Sequence, residues 1–157
     1  MTAGEKIKTQ TKRRLLLEVP AESKNLQIIR NFIFYSLENS FNKNSIYELE
    51  VCLNEICENI IKYSYEENQK GYIFIKIEIK ANSVKTTIID RGKPFNILEY
   101  EPPDKEFLFK QEIKGKLGIR TVKTICDKIY YYRLKGKNKT VLIKNISNAK
   151  CQMPNKF

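Results

Sequence analysis

A chain of 157 residues is long enough to bury one core and too short for two comfortable ones, so one domain is expected. It contains no histidine, which excludes Ser-His-Asp and Cys-His catalysis and any phosphohistidine intermediate on this chain. The net charge of +11 resembles a nucleic-acid signal, but it divides unevenly: residues 1–14 contribute +4 and residues 133–157 contribute +7, leaving the body between them neutral.

The first element in chain order is "RRLLLEVP", a strand ended by Pro20. In "AESKNLQIIRNFIFYSLENS", Leu26, Ile29, Ile33 and Leu37 recur at helical spacing. A polar stretch, "FNKNS", separates this helix from a second, whose apolar stripe is Leu49, Cys52, Leu53, Ile56, Ile60 and Tyr63. The period then changes to two. Ile73, Ile75, Ile77 and Ile79 alternate with Phe74, Lys76, Glu78 and Lys80, the pattern of a half-buried strand. The turn "ANS" leads into "VKTTII", which completes a hairpin and delivers Asp90, Arg91 and Gly92 at its end. Residues 96–117 contain Pro102 and Pro103 and no strong periodicity, and loops that long in a compact domain are usually functional or disordered. "GIRTVKTICDK" predicts a short helix, and "IYYYRLKGKNKTVLIKN" a last hairpin around Gly136.

Cys52, Cys57 and Cys126 fall within apolar helical patterns, lack C-x-x-C spacing and have no histidine to complete a zinc site, so they are read as reduced core thiols. Cys151 lies in the polar tail. No apolar run approaches bilayer length and the N-terminus has no signal-peptide character, so a soluble, cytoplasmic protein is expected. Basic ends can steer an acidic partner or touch phosphate backbones nonspecifically. Solvated termini explain them more simply, and direct nucleic-acid binding is not the expectation, although a basic nucleic-acid-binding protein stands as a third reading of the chain.

Three motifs carry candidate chemistry. In Glu55-x-x-x-Asn59 residues four apart share a helix face. The Asn oxygen suits Mg²⁺, and the carboxylate could orient or deprotonate a nucleophile. A helix-surface hydrogen bond is the commoner origin of such spacing. "DRGKPF", Asp90 to Phe95, puts a carboxylate where a strand runs out. It could accept from an adenine amino group, with Gly92 leaving room for the base, though the same residues also make a plain turn. In "GKLGIRTV", Gly115 and Gly118 precede a helix, where backbone N–H groups can close on phosphate and Lys114 and Lys116 add attraction. A flexible hinge would read identically.

Order decides between these alternatives. A helix with E-x-x-x-N, a hairpin ending in D-x-G-x-P-F, a long loop, then G-x-L-G-I opening a helix resembles the GHKL ATPase superfamily with its Bergerat fold, and within it the anti-sigma factor serine/threonine kinases. The resemblance runs from about Leu15 to Ile146 and includes "VPAESKNLQIIRNF". It implies an α+β two-layer sandwich, a mixed, mostly antiparallel sheet covered by helices on one face. The chain then divides into a basic extension (1–13), a histidine-kinase-like ATPase domain (14–146) and a basic tail (147–157).

As the resemblance implies, Glu55 is the catalytic base and Asn59 the Mg²⁺ ligand. Asp90 recognises adenine, with Gly92 beside it, and Gly115, Lys116, Gly118 and Ile119 form the phosphate and lid segment. Thr140 joins the adenine site. ATP and Mg²⁺ are the implied cofactors. A sigma factor and a STAS-domain antagonist are the implied partners, and a homodimer the implied assembly. Lys116 replaces the usual second glycine, Lys139 stands where relatives often have Gly, and Tyr63 and Asn96 replace an expected His and Asp. Lys116 makes turnover less secure than binding, leaving an ATP-responsive sequestering switch as the second reading.

Overall fold

The structure, a computed structural model, describes residues 13–101 and 118–146. Gly115, Lys116 and Cys151 lie outside the described residues. The elements are β1 (Arg13–Pro20), a 3-10 turn (Ser23–Asn25), α1 (Leu26–Leu37), α2 (Lys43–Asn59), a π turn (Ile60–Ser64), β2 (Tyr72–Ile79), β3 (Ser83–Asp90), α3 (Gly118–Ile125), β4 (Lys128–Leu134) and β5 (Lys137–Asn145).

The strands form one open sheet in the order β1-β2-β3-β5-β4. Every pairing is antiparallel, so the expected mixed character is absent among the described strands. The fold class is otherwise the expected one, an α+β sandwich with the helices on one face. Alternation sets the faces. Leu15 pairs with Ile77, Ile77 with Thr86, and Thr86 with Leu142, and this row lies beneath the helices. The β2 isoleucines Ile73, Ile75, Ile77 and Ile79 are all buried there with Val84, Ile88 and Leu142. From the helices come Ile29, Ile33 and Leu37 of α1, Leu49, Cys52, Leu53 and Ile56 of α2, and Ile119 and Val122 of α3.

Asn42 caps α2, its side-chain oxygen accepting from the Ser45 N–H at 2.8 Å. Cys52, Cys57 and Cys126 are buried free thiols, and the Cys52 and Cys126 sulfurs lie 3.9 Å apart where α2 meets the end of α3.

Three expectations change in the folded chain. Tyr63, assigned to the apolar stripe of α2, is 69% exposed. Helix α2 widens into a π turn over Ile60–Ser64, which carries fewer degrees per residue, so Ser64 rather than Tyr63 returns beneath Ile60. Glu78 sits on the face away from the helices yet is only 3% exposed, covered by Arg14, Lys76 and Lys85 at 3.4, 3.8 and 3.8 Å. The positive charge of residues 133–157 is not merely a solvated terminus. Arg133, Lys137, Lys139 and Lys144 belong to β4 and β5, and Lys135 and Gly136 form the tight turn between them with φ of 51° and 72°.

Candidate functional site

The end of α2 is stitched to the end of β3. Lys93 N–H donates to the Ser64 carbonyl at 2.8 Å. Tyr65 accepts from Arg91 N–H at 2.9 Å and donates to the Tyr72 carbonyl at 3.0 Å. A Cβ on Gly92 would lie 2.5 Å from the Ser64 carbonyl oxygen and closer still to its Cβ. The π turn resting on Gly92 gives this position a steric reason to carry no side chain.

This junction opens a cavity of about 410 Å³ between the last turn of α2, the end of β3, the start of β5 and the start of α3. Its walls are largely apolar, with Ile56, Ile60, Ile97, Phe95, Tyr100 and Ile119; Asn59, Asp90, Asn138 and Thr140 are among its polar lining, together with Ser64, Tyr63 and Lys93 at its edge near the π turn. An apolar cleft with a small convergent polar set is the usual form of a small-molecule site. Asn59 has no side-chain hydrogen bond among the described residues.

Asp90 anchors the polar end. Its Oδ1 accepts from Gly92 N–H and from Asn138 Nδ2, both at 2.9 Å. Its Oδ2 has no partner among the described residues and keeps its acceptor capacity. Burial pushes the Asp90 carboxyl above its ordinary range, against the lowering effect of the Asn138 and Gly92 bonds and the Arg133 charge. Asn138 also donates to the Lys93 carbonyl at 2.9 Å. Its own oxygen accepts from Tyr131 at 2.6 Å and Arg133 at 2.7 Å, and Arg133 reaches the Gly92 carbonyl at 3.1 Å. The β3–β5 register places Asn138 opposite Asp90 and Thr140 opposite Ile88.

Glu55 does not line the cavity. Its carboxylate lies against Gly118, where a Cβ would come 2.5 Å from Cδ and closer to Oε2. Burial and the neighbouring Glu58 raise its pKa, and Lys62 opposes them. Glu58 joins a separate polar chain, accepting from Asn54 at 3.2 Å and pairing with Lys62 at 3.7 Å.

Of the anticipated site residues, Asn59, Asp90, Ile119 and Thr140 converge on the cavity, Glu55 and Gly118 meet each other, and Gly92, just past β3, lies against the π turn. Asn138 was missed, although its position two residues before Thr140 on a strand put it on the same face. Arg133 was missed because it was counted with the basic end. Asn96 accepts from Leu98 N–H at 2.9 Å in a local turn. Lys123 of α3 donates to the Tyr100 carbonyl at 2.7 Å, tying α3 to the cavity's Phe95–Tyr100 wall.

The family profile described as histidine kinase-like ATPase domain matches residues 19–144. The serine-protein kinase RsbW of Staphylococcus aureus is 26% identical over 133 residues, covering 76% of this chain and 79% of that protein. Among solved structures, the RsbU and RsbW domains of Rv1364c from Mycobacterium tuberculosis superpose with a TM-score of 0.62 at 14% identity. That match covers 85% of this chain and 32% of the other, so this chain spans about a third of that structure. The histidine kinase domain of the Erythrobacter litoralis EL346 blue-light-activated kinase gives 0.51 at 11% identity, covering 88% and 67%. These structural likenesses establish the fold.

Proposed function

Because the chain belongs to the histidine kinase-like ATPase domain family, we propose that it is an ATP-dependent protein serine/threonine kinase that doubles as an anti-sigma factor. In this reading it holds a sigma factor inactive and phosphorylates a STAS-domain antagonist, working as a homodimer in the cytoplasm. No helix among the described residues is long and apolar enough to cross a membrane. The observation that carries the reading is the pairing, on one apolar cavity, of an Asn59 amide and an Asp90 Oδ2 that have no partner among the described residues.

Adenine enters between Ile56, Ile60, Ile97 and Ile119, and its amino group donates to Asp90 Oδ2. The Asn138 bond fixes the carboxylate plane, so no ordering cost falls on binding. Thr140 supplies a hydroxyl on the same strand face. The Asn59 oxygen fits Mg²⁺, which takes one or two protein oxygens and completes its shell with water and phosphate. Mg²⁺ bound there would neutralise phosphate charge. Gly118, bare at the start of α3, leaves room for the Glu55 carboxylate. Glu55 takes the proton of the substrate hydroxyl as that oxygen bonds to the γ-phosphorus and the bond to the β-phosphate oxygen breaks, releasing ADP.

A second reading, an ATP-dependent switch without turnover, draws on the position of Glu55 outside the cavity wall. One pair of experiments separates the readings. Mg-ATP should raise the melting temperature by mass action on the folded state, and labelled γ-phosphate should pass to a STAS-domain protein. A shift without transfer favours the switch. No shift at millimolar Mg-ATP would overturn both.

A further inference from the structure

The sheet face turned away from the helices is not uniformly polar. Across β3, β5 and β4 it forms a groove of about 780 Å³ with Ile89, Val141 and Ile143 among its lining and Tyr130 and Tyr132 from β4. Lys85, Arg91, Lys135, Lys137 and Lys139 also line it, and no carboxylate among the described residues does. Glu78 lies 3.8 Å from Lys85, whereas Arg91, Lys135 and Lys137 have no ion-pair partner among the described residues. Tyr132 is 53% exposed. Val141 is already covered, but Leu134 of the same lining is 71% exposed. Exposed apolar and aromatic side chains bordered by unpaired cations are costly to leave bare and have no role in the nucleotide site, which opens on the other side of the sheet.

Three occupants are conceivable, and the geometry distinguishes them. A single-stranded nucleic acid needs free aromatic faces on which bases stack. Here Tyr130 and Tyr132 stack on each other, with centroids 6.5 Å apart and planes 16° apart, and the Lys139 ammonium lies 6.0 Å from the Tyr132 ring. A second copy of this chain meeting the groove with its own groove would bring two clusters of like charge together. An acidic amphipathic segment satisfies both parts of the surface: its apolar residues cover Leu134 and the exposed edges of Tyr130 and Tyr132, and its carboxylates meet the cations.

We propose that this groove docks an acidic amphipathic segment of a partner protein. Docking there leaves the nucleotide cavity open, so partner and ATP can be held at once on opposite sides of the sheet. This reading does not depend on catalysis.

The test uses the full chain and a fluorescein-labelled peptide of glutamates with leucines at helical spacing, read by anisotropy. The comparison probes are the same composition scrambled and a labelled single-stranded oligonucleotide. The ordered peptide should bind more tightly than the scrambled one. Lys137→Glu with Lys139→Glu should weaken it by about tenfold or more, as expected for loss of complementary charge, and Tyr132→Ser should weaken it with little change in salt dependence. The Mg-ATP melting shift should stay as in the unmodified chain, which shows that the variants are folded and separates failure here from failure at the nucleotide site. Equal binding of ordered and scrambled peptides, tighter binding of the oligonucleotide, or indifference to charge reversal would each overturn the proposal. So would light scattering showing that charge reversal changes the oligomeric state, because the groove would then be a self-interface.

Discussion

Replacing Gly118 by alanine isolates the proposed role of Glu55 without touching the carboxylate itself. The added methyl would sit 2.5 Å from Glu55 Cδ and 3.0 Å from Cγ, whereas carbon atoms settle at about 3.5–4.0 Å. The Oε2 oxygen is nearer still, so the carboxylate must move by roughly 1–1.5 Å to reach ordinary contact. Because it ends a flexible side chain, the move costs about 0.5–1.5 kcal/mol in rotamer strain, and alanine's helix preference over glycine offsets up to about 1 kcal/mol of that. Stability should hold to within ~1 kcal/mol, a few degrees in melting temperature. Catalysis should not hold, since a misplacement of about 1 Å can cost on the order of 100-fold in rate. The assay is γ-phosphate transfer to a STAS-domain substrate, run beside a Mg-ATP melting shift that reports nucleotide binding. Adding Gly118→Ala to Glu55→Gln should produce no further loss in rate, because both act through one group. A Gly118→Ala protein that transfers phosphate at the unmodified rate would refute the assignment of Glu55 as the base.

Asp90→Asn keeps an oxygen for the Gly92 and Asn138 donors but loses the charged acceptor, so the Mg-ATP melting shift should fall as affinity drops by about 10- to 100-fold, the value of a charge-assisted hydrogen bond. The same change should flatten the pH dependence of stability. Asp90 has a folded pKa above its ordinary 3.8, so its ionisation weakens the fold as pH rises from the unfolded value through the folded one, and Asn lacks that step; denaturant unfolding at several pH values measures it. For Glu55, also raised above its ordinary 4.5, the acid limb of kcat/KM, which reports the free enzyme, should lie above pH 4.5, and Glu58→Gln should move it downward by removing a like charge. Gly92→Ala should destabilise by about 1–3 kcal/mol in urea unfolding, because the obstructing Ser64 atoms include backbone and cannot swing aside.

Much of the architecture follows from local pattern. The isoleucine alternation of β2 and the three-four spacing of α1 and α2 identify elements and buried faces, because periodicity is a property of neighbouring residues. The Glu55–Asn59 spacing and Asp90 at a strand end were legible for the same reason, whereas Thr140 came only from the family resemblance. What the sequence could not supply is whatever depends on which residues meet across the fold. Asn138 holds Asp90 from 48 positions away, and only the β3–β5 register puts them opposite each other. Gly92 reads as a turn former until the π turn is seen lying against it. Lys137 and Lys139 count as part of a basic end until β5 carries them onto the open face of the sheet. Composition records how many charges a chain has, but tertiary structure decides which of them share a surface, because electrostatic and steric partners are set by distance in space.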